Sequence, residues 1–405
     1  MVGKALMVPA VAFLLASPQV SADGLRWLRA EGTRIVDESG APVVLRGVNL
    51  GGWLVEEMWM MPFVTEPPSE SGFRPVRDHV SLWRVVEQRF GRAGAQRLKA
   101  RLRSAWITEE DFKRIREAGF NCIRLPFLHD MLAERGGFAW LDRGIKFAED
   151  QGLYVILDMH GAPGRQSRDH HTGEEGVNRL FYDPKMVAEA ERLWAKIARR
   201  YRNNPTVAAY NLLNEPMGAP NTSTLYQVQD RLYKAIRAVD KRHMIVIEDG
   251  YTGVQNMPRP SAYGWDNVVY STHYYQFDAK AEGDHRRALL GYAEGLERLQ
   301  AEWGVPFYLG EFNLEPHGTP ATMLWLLNEL QRRWWSWSVW TYKVVMKGGD
   351  RSMWGLYRNT KPVEPIDPFR DSEREIVRKL DQVRTERLEA HTELLKAYRS
   401  AAGLQ

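Results

Sequence analysis

Two glutamates in this 405-residue sequence have neighbours suited to breaking a bond. Glu215 lies in Leu213-Asn214-Glu215-Pro216, and Glu311 in Leu309-Gly310-Glu311-Phe312. Both stand at the end of a short apolar run, where a parallel barrel presents its reactive groups. Carboxyls that face each other across a barrel mouth suit glycoside hydrolysis. One protonates the leaving oxygen, and the other attacks the anomeric carbon or activates water. Further runs also carry polar or aromatic groups: Arg124, Asp158-Met159-His160, His273-Tyr274-Tyr275 and Trp340. Packing alone does not explain such a convergence at run ends.

The elements that must position these groups follow from the hydrophobic pattern. Eight apolar runs recur: Val43–Val48, Asn121–Phe127, Tyr154–His160, Ala208–Glu215, Met244–Glu248, Val268–Tyr275, Pro306–Phe312 and Ser336–Lys343. Several are nearly continuous in Val, Ile, Leu, Tyr and Phe, as strands covered on both faces should be. Amphipathic segments alternate with them: Thr108–Ala118, Leu141–Gln151, Met186–Arg202, Thr224–Val239, His285–Trp303 and Thr319–Arg333. Tyr251–Trp265 shows no helical pattern. The alternation predicts an α/β fold, a single (β/α)8 TIM barrel over residues 23–405. Glu56–Leu102 reads as a long insertion after the first strand. Ser372–Ala402 reads as a C-terminal helix opened by a Ser372/Glu375 capping box.

Composition narrows the function. Lys and Arg number 55 against 51 acids, interspersed, for a net charge of +4, so no basic face for nucleic acid is expected. The single cysteine, Cys122, precludes an intramolecular disulfide. Residues 1–22 read as a signal peptide: Lys4, an apolar run from Ala5 to Ala16, then Val20-Ser21-Ala22 with expected cleavage after Ala22. Export is expected, to a periplasm or the exterior, without stable membrane insertion, because no later segment is long and apolar enough. No serine-hydrolase elbow or phosphate loop is present. His170-His171 reads as a solvated loop pair. A metal-dependent barrel would be expected to carry His-x-His after strand one, where Asn49-Leu50-Gly51 stands, so neither metal nor cofactor is expected.

The ordered set of motifs resembles glycoside hydrolase family 5, over about Leu45 to Tyr342. The resemblance implies a retaining β-glycosidase acting on an oligo- or polysaccharide. It implies that Glu215 is the acid/base and Glu311 the nucleophile, with Arg124 keeping Glu311 ionised. It further implies that His160 lines the glycone subsite, Asn214 holds the sugar 2-hydroxyl, His273 and Tyr275 flank the carboxylates, and Trp340 stacks under the ring. On this logic Glu311 needs a low pKa and Glu215 a raised one, with the carboxyls about 5–5.5 Å apart. Arg46-Gly47-Val48-Asn49-Leu50-Gly51-Gly52-Trp53 and His160-Gly161-Ala162-Pro163-Gly164 resemble the exo-β-1,3-glucanase branch, in which the position of Glu57 binds the terminal sugar. That branch carries Asp-Asn where His170-His171 stand. Trp53, Trp59, Trp140, Trp265 and Trp354 are candidates for stacking on sugar, while Trp194, Trp325 and Trp334 fit helix faces. The substrate stays open between a β-glucan, a mannan and a glycolipid, the last suggested by Met58, Trp59, Met60, Met61 and Phe63. A non-catalytic carbohydrate-binding barrel is the remaining alternative. Oligomeric state is not legible.

Overall fold

The computed structural model describes residues 24–134 and 136–404; the expected signal peptide lies outside the described residues. Eight parallel strands close into a barrel in chain order: Arg46–Asn49, Cys122–Leu128, Tyr154–Gly161, Val207–Asn211, Met244–Glu248, Val268–Tyr274, Phe307–Phe312 and Ser336–Val339. The eighth strand pairs back on the first, Val339 with Val48. Each predicted apolar run supplies one strand. Two runs overreach. Val43 belongs to a separate antiparallel sheet, and the fourth strand stops at Asn211, leaving Leu212–Glu215 as a turn above it.

Helices cover the outside where the periodicity predicts them, and their starts obey capping chemistry. Asn221 accepts from the Thr224 amide at 2.8 Å to open Thr222–Arg237. Asp183 with Pro184 opens Pro184–Tyr201, whose Trp194 is fully buried. Tyr251–Trp265 holds only a 3-10 turn and the four-residue helix Pro260–Tyr263.

Three parts of the fold differ from the sequence expectation or add to it. The insertion after the first strand contains a 28-residue helix, His79–Trp106, kinked where Gly91 adopts φ 66°. Its apolar residues Leu82, Trp83, Val85 and Val86 stop at the Gly91–Gly94 stretch, which hides the helical period. The C-terminal segment is not one helix. Glu373–Lys379, capped by Ser372 as expected, and Thr392–Ala401 are separated by 3-10 turns and by Glu389–Ala390, which pairs with Tyr357–Arg358. A hairpin, Leu28–Glu31 with Arg34–Asp37, adds Pro42–Val43 to form a three-stranded sheet. Its Leu28, Ile35 and Val43 pack on Leu45, Cys122, Tyr154 and Tyr308 near the strand starts, closing the end of the barrel opposite the strand C-termini. Among the described residues no helix is long and apolar enough to cross a membrane.

Candidate active site

Arg124 anchors the site from the second strand, fully buried. Its Nη1 donates to Glu311 Oε1 at 2.6 Å and to Asn49 Oδ1 at 3.0 Å. Nη2 donates to Asn214 Oδ1 at 2.8 Å and to Glu248 Oε1 at 3.1 Å, and lies 3.1 Å from Asp158 Oδ1. Nε donates to Asn211 Oδ1 at 3.1 Å. A buried cation is tolerated only when paired and hydrogen-bonded in this way. Register explains how Asn49 arrives, since it pairs with Arg124 across the first two strands.

Glu311 reaches the mouth through a register shift between Leu309 and Glu311, a bulge that re-aims the side chain. Gly310 at this bulge is required by space. A β-carbon there would lie 2.8 Å from Ser271 Oγ and 2.9 Å from His273 Nε2. Glu311 Oε2 accepts from the Tyr275 hydroxyl at 2.9 Å.

Glu215 sits in the turn above the fourth strand at φ 41°, a left-handed conformation that costs a non-glycine residue about 1–3 kcal/mol. Three contacts hold the strain. The Glu215 amide donates to Glu248 Oε2 at 2.8 Å, the Asn214 amide to Met159 O at 3.2 Å, and Gln166 Nε2 to Asn214 O at 2.7 Å. Glu215 Oε1 accepts from Tyr251 Oη at 2.8 Å and lies 2.7 Å from His273 Nδ1. His273 bridges the pair, with Nδ1 also 3.6 Å from Glu311 Oε2 and Nε2 3.5 Å from Glu248 Oε1. One oxygen from each glutamate and a His273 nitrogen all lie within 4.8 Å of one another.

The rest of the wall is aromatic and polar. His160 pairs with Asp158 at 2.7 Å and stacks parallel to Trp340 at 5.5 Å. Glu57 accepts from Trp59 Nε1 at 2.9 Å and lies 3.2 Å from His170 Nε2, while its Oε1 is buried without a partner. A cavity of about 550 Å³ is lined by Glu57, His160, Asn214, Glu215, Tyr275, Glu311 and Trp340, together with Trp59, Trp354, Tyr251, Phe277 and both loop histidines. Arg124 and His273 lie directly beneath, bonded to the two glutamates. All nine residues named from the sequence are thus gathered at one place.

Trp59 and Trp354 join the cavity wall, whereas the other tryptophan candidates do not. Trp53 is buried and donates to Arg103 O, Trp265 donates to Asp230, and Trp140 lies under Arg103 and Arg143. His170 and His171 are not a solvated pair: one meets Glu57, and the other lies 3.5 Å from Glu215 Oε2. Asn49, Asn211, Glu248 and Tyr251 were not singled out by the sequence. Glu248 ends the fifth apolar run, so the same run-end rule finds it; Tyr251 lies in a loop without a pattern.

Charge is distributed against the sequence expectation. Burial, and then the nearby Glu215, push Glu311 up, against the pull of His273 and Arg124. Burial also pushes Glu215 up, but His171, His273 and Tyr251 together hold it well below the usual carboxylate range. The His171 pull lasts only while that imidazole is charged, and burial depresses its pKa below the ordinary 6.5, so it lapses at neutral pH. Burial disfavours the His273 cation, yet Glu311 and Glu248 overcome this and raise it well above 6.5. The three closely spaced donor atoms could in principle hold an ion. Arg124 and a cationic His273 already supply the positive charge there, so the donor set does not call for one.

A sequence model described as Cellulase (glycosyl hydrolase family 5) matches residues 92–344, more than half of the chain. The chain belongs to glycosyl hydrolase family 5. Among curated relatives, it is 30% identical over 361 residues to a β-xylosidase of Phanerodontia chrysosporium, covering 79% of this chain and 71% of the relative. It is 31% identical over 253 residues to a glucan 1,3-β-glucosidase of Blumeria graminis, covering 59% of this chain but only 57% of that protein. Solved structures share the fold. Thermotoga maritima Cel5A in complex with cellobiose has a TM-score of 0.55 at 20% identity over 88% of this chain and 97% of its own. Rutinosidase from Aspergillus niger gives 0.59 at 16% identity, over 78% and 94%. This family 5 chain is accordingly a glycoside hydrolase.

Proposed function

We propose that this family 5 glycoside hydrolase is an exported retaining enzyme that cleaves β-glycosidic bonds in a β-glucan, with Glu215 as acid/base and Glu311 as nucleophile. The observation that carries this reading is the approach of the two carboxylates to within 4.8 Å, oxygen to oxygen, across one cavity. Retaining enzymes keep their carboxyls about 5–5.5 Å apart, and inverting enzymes about 6.5–9.5 Å, to admit a water.

The chemistry runs in two displacements. Glu311 attacks the anomeric carbon while Glu215 gives its proton to the departing oxygen, so one C–O bond forms as another breaks. The leaving alcohol departs neutral, and Glu215 is left ionised. In the second step Glu215 takes a proton from water, whose oxygen replaces Glu311 at the anomeric carbon. The pair begins with one proton between its two members. Arg124 and Tyr275 donate to Glu311 and favour the charge there, while His273 and Tyr251 favour it on Glu215; the form that starts the reaction is the one with the proton on Glu215. When Glu311 becomes an ester its charge disappears, and with it the repulsion that opposes ionisation of Glu215, which suits Glu215 to act as base.

Trp340, Trp59 and Trp354 offer flat apolar faces for sugar rings. The unpartnered Glu57 Oε1 is an acceptor available to a sugar hydroxyl. Relatives named β-xylosidase and glucan 1,3-β-glucosidase support a β-linked substrate. A lipid aglycone loses its motivation, because Met60, Met61 and Phe63 are buried in the core and Met58 and Trp59 pack against it. The leader-like residues 1–22 support export. Proton NMR of the first products tests the mechanism: β-anomers are expected, and initial release of α-anomers would overturn it.

A further inference from the structure

Glu215 presents its two oxygens to different surroundings. Oε1 takes the Tyr251 hydroxyl and the His273 imidazole. With two donors already on Oε1, the transferable proton belongs on Oε2. The polar group facing Oε2 is His171, whose Nε2 is buried, makes no hydrogen bond and lies 3.5 Å away.

The segment that carries His171 is firmly placed. His170–Thr172 forms a 3-10 turn closed by the Thr172 hydroxyl on Asp169 O at 2.9 Å and by the Gly173 amide on His170 O at 2.9 Å. Two bonds fasten it to the start of the long helix: the Val80 amide to Gly173 O at 3.0 Å, and the Glu175 amide to Asp78 Oδ2 at 2.8 Å. His170 ties its front to Glu57. The His171 ring packs edge-on to His160 at 5.8 Å and to His170 at 6.1 Å. The titratable groups around it are therefore Glu215 from the turn above the fourth strand, His160 from the third strand, Glu57 from the loop after the first, and Asp169 and His170 from its own loop.

We propose that His171 is a positioning residue for proton transfer: its Nε2 accepts from the protonated Oε2 of Glu215 and aims that proton at the leaving oxygen. The inference rests on Glu215 being the acid/base. Neutral His171, with its proton on Nδ1, offers the lone pair this needs, and burial keeps it neutral at pH 7. When the glycosidic oxygen arrives, it takes the place of Nε2 as acceptor. The proton then moves from Oε2 to that oxygen as the C–O bond opens, and His171 neither gains nor loses a proton.

The test compares leaving groups through kcat/KM, which reports the first displacement. A dinitrophenyl β-glucoside needs no proton on departure, whereas a β-linked glucose disaccharide does. In His171→Leu, kcat/KM for the disaccharide should fall about tenfold to a hundredfold, as misdirected reacting groups do. For the dinitrophenyl glucoside it should change less than about threefold, since general acid help is not used there. His171→Gln, which keeps an amide at similar reach, should recover part of the loss and carries the test if the leucine variant does not fold. Equal losses on both substrates would overturn the positioning role while leaving Glu215 as acid/base. A Glu215→Ala variant that cleaves the disaccharide as fast as wild type would instead overturn the assignment of Glu215, and this inference with it.

Discussion

Arg124 Nη1 stands 2.6 Å from Glu311 Oε1, and the same guanidinium also meets Asp158 and Glu248, so one buried cation serves three carboxylates. Removing it strands those charges. Arg124→Met should lose about 3–5 kcal/mol in urea denaturation, the usual result of breaking a buried ion cluster from one side. Arg124→Lys keeps the charge but not the fork, and its kcat should fall at least about a hundredfold. A lysine variant with near wild-type turnover would show that the guanidinium geometry is irrelevant.

Glu311→Ala should abolish turnover, and azide should restore it by yielding an α-glycosyl azide. Glu215→Ala should lose about 10²–10⁴-fold on substrates with poor leaving groups, and azide should give the β-product. The anomeric configuration of each azide, read by NMR, checks the assignment; exchanged configurations would reverse the two roles.

Glu57→Gln removes the buried carboxylate that faces the cavity. Hydrogen bonds to a charged group contribute about 1.5–3 kcal/mol, so kcat/KM should fall about tenfold to a hundredfold, mainly through KM. Unchanged kinetics on every substrate would remove Glu57 from the binding surface.

Stability in acid should depend on Glu56. It is fully buried beside His79; burial opposes its ionisation, but His79, Arg103 and Lys99 outweigh that and lower its pKa from 4.5 to about 2. A depressed folded-state pKa gives stability that is present above 4.5 and lost as pH falls toward 2. Glu56→Gln should cost about 3 kcal/mol at pH 6, and the gap to wild type should close between pH 4.5 and pH 2. A gap constant over that window in guanidinium titrations would sink the linkage.

Gly310→Ala should be harmful out of proportion to one methyl group. The new carbon would press on His273 Nε2 and Ser271 Oγ, so about 1–3 kcal/mol of stability should be lost. Displacing His273 should lower kcat about tenfold or more. A crystal structure of the variant with His273 unmoved would count against the packing argument.

The barrel was legible because buried parallel strands need runs such as Tyr154–His160, and nothing else in the chain produces eight of them. The glutamates were legible because strand ends are where such a fold can do chemistry. The His79–Trp106 helix was not, since Gly91 and Gly94 interrupt its apolar stripe. Tyr251 and His171 were not legible either. Each reaches Glu215 from a loop whose path is set by bonds distant in sequence, such as the Glu175 amide on Asp78. The order of the two glutamate pKa values was misjudged for a related reason: the sequence showed Arg124 beside Glu311 but not the two histidines converging on Glu215.

The sheet formed by Leu28–Glu31, Arg34–Asp37 and Pro42–Val43 seals the base, so the polypeptide enters the structure on the face turned away from the catalytic mouth. Tethering the enzyme to a bead or a carrier on the amino-terminal side of Leu25 should therefore leave the opening pointing outward, with access for bulky glucans unhindered. A graft at Phe277, exposed beside the entrance, would stand in their way.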